Sequence, residues 1–156
     1  MARSDASEMR PRDSGRYDRR ASRYLANARR MLLDREVEKA AELVWGAYAL
    51  LVKSSAAKRR MAVRRHTALR AFAKEMAADL AERYGADIGG RWIDDFTVAE
   101  SLHSGFYEGE IDPVAVARLA GKYESWQRRI DRLINGRKTP SASLRGGRHP
   151  PGPAPA

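Results

Sequence analysis

Apolar side chains recur every three or four residues through most of the chain, and this period constrains the fold more than any other feature. In the segment 35–57 the inward-facing positions step by alternating fours and threes: Val37, Ala41, Val44, Tyr48, Leu51 and Ser55. That spacing places them on one face of a packed α-helix. Alternation with a period of two, which indicates strands, is almost absent. The sequence therefore predicts an all-α protein.

The same pattern predicts five helices, at about 17–33, 35–57, 66–84, 93–104 and 113–135. We expect Asp34 to be the N-cap of the second helix, Gly85 to end the third, and Asp112 with Pro113 to begin the fifth. The first two helices should form an antiparallel hairpin, because the turn between them is short. The segment 85–90, "GADIGG", is predicted to be a linker. The result is an up-and-down bundle of four main helices plus one short helix, at 93–104.

The chain has 156 residues, which suits one domain. Residues 1–16 are polar and without period, and we expect a disordered basic N-terminal arm there. Residues 136–156 are rich in proline and glycine and are expected to form a disordered tail, which leaves 17–135 as the foldable bundle. The longest apolar run, 43–52, is about half of the ~20 residues that a membrane helix needs. These features predict a soluble, cytoplasmic protein with no membrane segment.

Several kinds of functional site are excluded by composition or spacing. Cysteine is absent, which removes disulfide scaffolds and thiolate metal sites. The histidines lack the spacing of helical zinc motifs, and no glycine-rich loop has the spacing of a phosphate-binding motif. We therefore expect neither a metal nor a cofactor.

The net charge is +10, and its distribution along the chain indicates a polyanionic partner. Residues 58–74 carry seven basic side chains and no acidic one, whereas 75–112 carry two basic and ten acidic ones. The basic loop, residues 58–65, is the candidate nucleic-acid contact, through Lys58, Arg59, Arg60, Arg64 and Arg65.

Three segments carry a family resemblance. They are "KAAELVWGAYALLVK" (39–53), the histidine that opens "HTALRAFAKEMA" (66–77), and "FTVAESLHSGFYEGEID" (96–112). Together they resemble the PaREP-type family of helical proteins, grouped with the HEPN superfamily (higher eukaryotes and prokaryotes nucleotide-binding). The positions that match are Glu42, Trp45, Gly46, Ala47, Lys53, His66, Ala99, Glu100, Leu102, His103, Phe106, Tyr107 and Glu108.

The resemblance implies a HEPN-like bundle and a homodimer. It also implies a family-motif pocket, which we assign to Glu42, Trp45, Lys53, His103 and Tyr107. HEPN proteins include metal-independent ribonucleases and partners of nucleotidyltransferases in toxin–antitoxin pairs. A nucleotidyltransferase or an antitoxin is therefore a candidate partner of this chain.

Active HEPN ribonucleases carry an arginine and a histidine separated by four to six residues, with the histidine at the start of a helix, and Arg60 and His66, separated by five residues, have this spacing. An imidazole can move the proton of a ribose hydroxyl near pH 7, and a guanidinium can hold phosphate oxygens. The match is weakly specific, because arginine or lysine fills five of the eight positions before His66. We prefer a non-catalytic module that binds RNA or a nucleotide; a metal-independent ribonuclease and a partner-binding module remain alternatives. An inert basic loop is the structural interpretation of the same residues.

Overall fold

The computed structural model describes residues 11–104 and 111–138, which form five α-helices with no strand among them. The helices are α1 (Pro11–Leu33), α2 (Val37–Lys58), α3 (His66–Tyr84), α4 (Ala86–Ser104) and α5 (Pro113–Lys138). The predicted all-α class is confirmed. The HEPN-like arrangement of the bundle stays a prediction.

Helices α1 and α2 form the predicted antiparallel hairpin. The start of α1 lies beside the end of α2, where the Ser54 hydroxyl donates to the carbonyl of Ser14. Further along α1, the ring of Tyr24 lies against Gly46, which comes earlier in α2. A Cβ atom at Gly46 would lie 2.8 Å from two carbons of that ring, so glycine permits the close approach of the helices. The predicted N-cap is wrong: Asp34 lies in the turn, α2 begins at Val37, and the Glu36 side chain at the cap position makes no capping hydrogen bond.

Helices α3 and α4 meet at a single residue, Gly85. As predicted, Gly85 ends α3, with a positive φ of 103° and its N–H donating to the carbonyl of Ala81. The linker predicted at 85–90 is wrong, however, because α4 begins at Ala86. Helix α4 is consequently as long as α3, at 19 residues, and the predicted short helix does not exist.

The ends of the bundle also differ from the predicted domain limits. Residues 11–16, expected in the disordered arm, form the first turns of α1, and residues 136–138, expected in the tail, extend α5. The predicted start of α5 is confirmed, since the Asp112 carboxylate accepts the N–H of Val114 at 2.9 Å. The remainder of both predicted tails lies outside the described residues.

The core is a continuous set of aromatic rings from α2, α4 and α5. Trp92 lies at its centre, fully buried, with its indole N–H donating to the carbonyl of Ala73 at 2.9 Å. Its ring centroid lies 6.0 Å from that of Phe96 and 5.5 Å from that of Trp126, and Phe96 lies 5.6 Å from Trp45. Packing of these rings fixes α2, α4 and α5 relative to one another, and with them the side chains that these helices carry at the surface. No helix in the described part of the chain is long and apolar enough to cross a membrane.

Candidate functional site

Two exposed histidines lie next to Trp45 and define the candidate site. Trp45 belongs to α2, His66 is the first residue of α3, and His103 is near the end of α4. The indole centroid lies 5.5 Å from the His66 ring and 6.2 Å from the His103 ring. Trp45 is nearly buried, whereas the histidine side chains are 49% and 53% exposed. We call this arrangement, with Glu42 and Glu100, the histidine–tryptophan site.

Each imidazole is held by one carboxylate. His66 Nε2 lies 3.0 Å from Oε2 of Glu100, and His103 Nδ1 lies 3.1 Å from Oε2 of Glu42. A carboxylate only accepts hydrogen bonds, so Nε2 of His66 and Nδ1 of His103 each carry a proton. In the neutral tautomers, the second ring nitrogen is then free to accept a proton or a hydrogen bond. Both neutral histidines are thus oriented as acceptors for a ligand.

Arg70 fixes the carboxylate that holds His66. Its Nη2 and Nε atoms lie 2.7 and 3.2 Å from the two oxygens of Glu100, which is a bidentate pair. The sequence identifies Glu100 only as a position that matches the family and gives Arg70 no role, whereas the structure pairs Glu100 with His66 and Arg70. The spacing of Arg70, four residues after His66 and hence on the same face of α3, was the signal that could have found it.

The family-motif pocket is only partly assembled by the described residues. Glu42, Trp45 and His103 come together, as the motif assignment requires. Lys53 lies eleven residues beyond Glu42 on α2, which is about 16 Å along the helix axis, so it belongs elsewhere on the surface. Tyr107 lies outside the described residues.

The basic loop is divided by the structure into an inward part and an outward part. Lys58 Nζ lies 2.7 Å from Asp131 and 3.6 Å from Asp18, and Arg59 lies 2.8 Å from Asp79 with its guanidinium over the ring of Phe72. The side chains of Lys58 and Arg59 are only 22% and 16% exposed. These two cations connect the end of α2 to α1, α3 and α5, and carboxylates within the fold neutralise their charges.

Arg60, Arg64 and Arg65 form the outward part of the basic loop. All three are exposed, and none has an ion pair with any described residue. Val63, buried between them, anchors the loop to the core. Arg60 has a left-handed backbone, with φ 59°, and its guanidinium makes no hydrogen bond with His66 or with another described side chain. The side chains of Arg60 and His66 are thus not hydrogen-bonded to each other, and Arg64 and Arg65 are the cations closest in sequence to the histidine–tryptophan site.

The arrangement suits a phosphate-bearing or aromatic ligand better than a metal ion. Within residues 11–104 and 111–138, no three histidine or carboxylate side chains converge as metal ligands. Guanidinium groups are donors to phosphate oxygens, and the exposed imidazole rings offer flat surfaces for stacking.

The sequence of this chain matches a known protein family. A model of the archaeal PaREP1/PaREP8 family matches residues 16–125, which include the histidine–tryptophan site and the basic loop. No curated protein and no solved structure matches the chain.

Proposed function

We propose that this chain, which belongs to the archaeal PaREP1/PaREP8 family, binds RNA or a nucleotide at the histidine–tryptophan site. The observation that carries the proposal is the convergence of three segments distant in sequence. Three parts of the chain meet at one surface: Glu42 and Trp45 of α2, His66 of α3, and Glu100 and His103 of α4. The exposed arginines of the basic loop directly precede His66 in the sequence.

The chemistry of the ligand follows from the donors. Arg64 and Arg65, which have no ion pair with any described residue, supply fork-shaped donors for phosphate oxygens, while each imidazole supplies an acceptor nitrogen and a flat face for a base. Glu42 and Glu100 are engaged with the histidines, and Arg70 further neutralises Glu100. The positive charge that attracts an anion is therefore assigned to Arg64 and Arg65.

The salt dependence of binding tests this proposal. We would measure the affinity of a fluorescent single-stranded RNA between about 50 and 200 mM salt for the wild type and for Arg64→Gln/Arg65→Gln. Each phosphate contact on a single strand contributes about −0.7 to the slope of log affinity against log salt, so the double variant should have a slope shallower by about 1.4. Arg128→Gln/Arg132→Gln, which removes two exposed cations of α5, is the matched control and should keep the wild-type slope. Equal slopes in all three proteins would contradict the proposal.

A second candidate, a metal-independent ribonuclease, is favoured by one observation. Two exposed histidines in one site are each oriented by a carboxylate, which is the arrangement that general acid–base catalysis needs. In this case both His66→Ala and His103→Ala should abolish RNA cleavage in EDTA while the circular dichroism spectrum stays unchanged. Cleavage at the wild-type rate in either variant would rule out the pair.

The HEPN relationship, the homodimer and the nucleotidyltransferase or antitoxin partner belong to this proposal as implications of the family resemblance. Light scattering coupled to size-exclusion chromatography checks the dimer directly. A monomer at high concentration would contradict it.

A further inference from the structure

A second cluster of cations surrounds a small cavity between α4 and α5. The cavity, which we call the α4–α5 basic pocket, has a volume of about 100 Å³ and is lined by Arg91, Lys122, Ser125, Trp126 and Arg129. Arg91 lies twelve residues before His103 on α4, about 18 Å along the helix axis. The pocket is therefore separate from the histidine–tryptophan site.

Three of the lining side chains, Lys122, Trp126 and Arg129, are held in place by contacts within the fold. The buried Asp95 carboxylate accepts the indole N–H of Trp126 at 2.9 Å and the ammonium of Lys122 at 3.2 Å. The guanidinium of Arg129 lies over the Trp126 ring, 5.5 Å from its centroid. Lys122, Ser125 and Arg129 follow one another at spacings of three and four, so they share one face of α5. The donors of α5 thus lie on one helix face, and Arg91 of α4 lines the same cavity.

Two cations of the pocket are not neutralised within the fold in the way that Lys58, Arg59 and Arg70 are. Lys58, Arg59 and Arg70 each have a carboxylate within 3 Å, whereas Arg91 and Arg129 have no ion pair with any described residue. No carboxylate lines the pocket, and Asp95 beneath it is already shared between an ammonium and an indole. Like charges gathered around one cavity repel each other, and an anion within it relieves that repulsion.

The size of the pocket fits a small anion. Its volume of about 100 Å³ corresponds to roughly three water molecules at ~30 Å³ each. This accommodates a tetrahedral phosphate group. Guanidinium, ammonium and hydroxyl donors are the groups that bind phosphate oxygens.

We propose that the α4–α5 basic pocket binds a phosphate group, supplied either as inorganic phosphate or by the backbone of an RNA strand. This site does not depend on the proposed function of the histidine–tryptophan site. It gives the protein a second anion contact on a different part of the bundle.

The first arm of the test uses inorganic phosphate. We would titrate it into the protein at constant ionic strength, with chloride as the balancing anion, and follow the amide NMR signals of Ser125 and Trp126. Arg91→Gln/Arg129→Gln should weaken phosphate binding at least about tenfold, because two charge-assisted hydrogen bonds are lost. The matched control, Arg128→Gln/Arg132→Gln, removes the same charge from exposed positions of α5 outside the lining and should stay within about twofold of the wild type.

The second arm uses a single-stranded RNA without a terminal phosphate. A loss of RNA affinity in Arg91→Gln/Arg129→Gln but not in the control identifies the strand as the source. Phosphate binding with unchanged RNA affinity identifies the free ion. If neither probe distinguishes the pocket variant from its control, the proposal is overturned. Because these variants leave Arg64, Arg65 and both histidines intact, this failure is distinguishable from a failure of the proposed function.

Discussion

At the scale of single residues, two buried tyrosines of the core show how differently one side-chain type contributes. The Tyr48 hydroxyl donates to the carbonyl of Leu119 at 2.8 Å, whereas the buried Tyr123 hydroxyl has no hydrogen-bond partner among the described residues. Burial raises the pKa of both phenols far above the ordinary value of 10, since it disfavours the phenolate, and nearby carboxylates raise it further.

Replacing these tyrosines by phenylalanine should separate the two cases. Tyr48→Phe should lower the free energy of unfolding by about 1 kcal/mol, because a buried hydrogen bond is lost. Tyr123→Phe should leave the stability unchanged or raise it slightly, because the deleted hydroxyl is buried without a partner. Urea denaturation of the two variants measures the difference. Equal destabilisation of both would contradict this description of the core.

The same phenols predict a loss of stability in alkali. Their pKa is raised in the folded state, so their contribution is fully present below pH 10 and falls as the pH rises above it, where the unfolded chain ionises first. Each phenol should reduce the free energy of unfolding by up to ~1.4 kcal/mol per pH unit above about 10. Urea midpoints at pH 8, 10 and 11 should fall less steeply in Tyr48→Phe/Tyr123→Phe than in the wild type. Parallel curves would refute the assignment.

At the scale of the helices, α4 shows where sequence patterns are sufficient and where they are not. Helical period predicted α3 and its end at Gly85 correctly, and the Asp112–Pro113 signal located the start of α5. The glycines of "GADIGG" indicated a linker, yet only Gly85 turns the chain. A Cβ atom at Gly89 would lie 2.5 Å from the carbonyl oxygen of Ala77 in α3, so that glycine serves helix packing. Local composition cannot distinguish a glycine that turns the chain from one that permits close helix packing. Because the predicted helix began at residue 93, it also left out Trp92, the centre of the core.

Two neighbouring glycines of α4 provide a matched prediction. Gly89→Ala should destabilise the protein by about 1–3 kcal/mol, because its Cβ would collide with the α3 backbone. At Gly90, where a Cβ would meet nothing within 4 Å, alanine should instead stabilise by up to ~1 kcal/mol through helix propensity. Thermal unfolding of the two variants decides between this helix and a linker, for which both changes would have similar, small effects.

At the scale of the whole molecule, acidic and basic segments that are distant in sequence neutralise each other across the bundle. Lys58 and Arg59 at the end of α2 meet carboxylates of α1, α3 and α5, and Lys122 of α5 meets Asp95 of α4. A basic run such as 58–65 therefore overstates the charge that is open to a partner. The motif residues Glu42, Trp45, His66 and His103 were identifiable from the sequence, whereas the pairing of His66 with Glu100 and Arg70 depends on how α3 and α4 pack.

The central claim is that RNA or a nucleotide contacts the protein through both histidines of the histidine–tryptophan site. The chain has three histidines, so ¹⁵N-labelled imidazole signals, assigned with His66→Ala and His103→Ala, can be followed individually during titration with a short single-stranded RNA. We predict saturable shifts of both the His66 and the His103 ring signals at the same RNA concentration, because the two rings lie next to one tryptophan. RNA binding that leaves both ring signals unmoved, or the absence of binding at low salt, would contradict the claim.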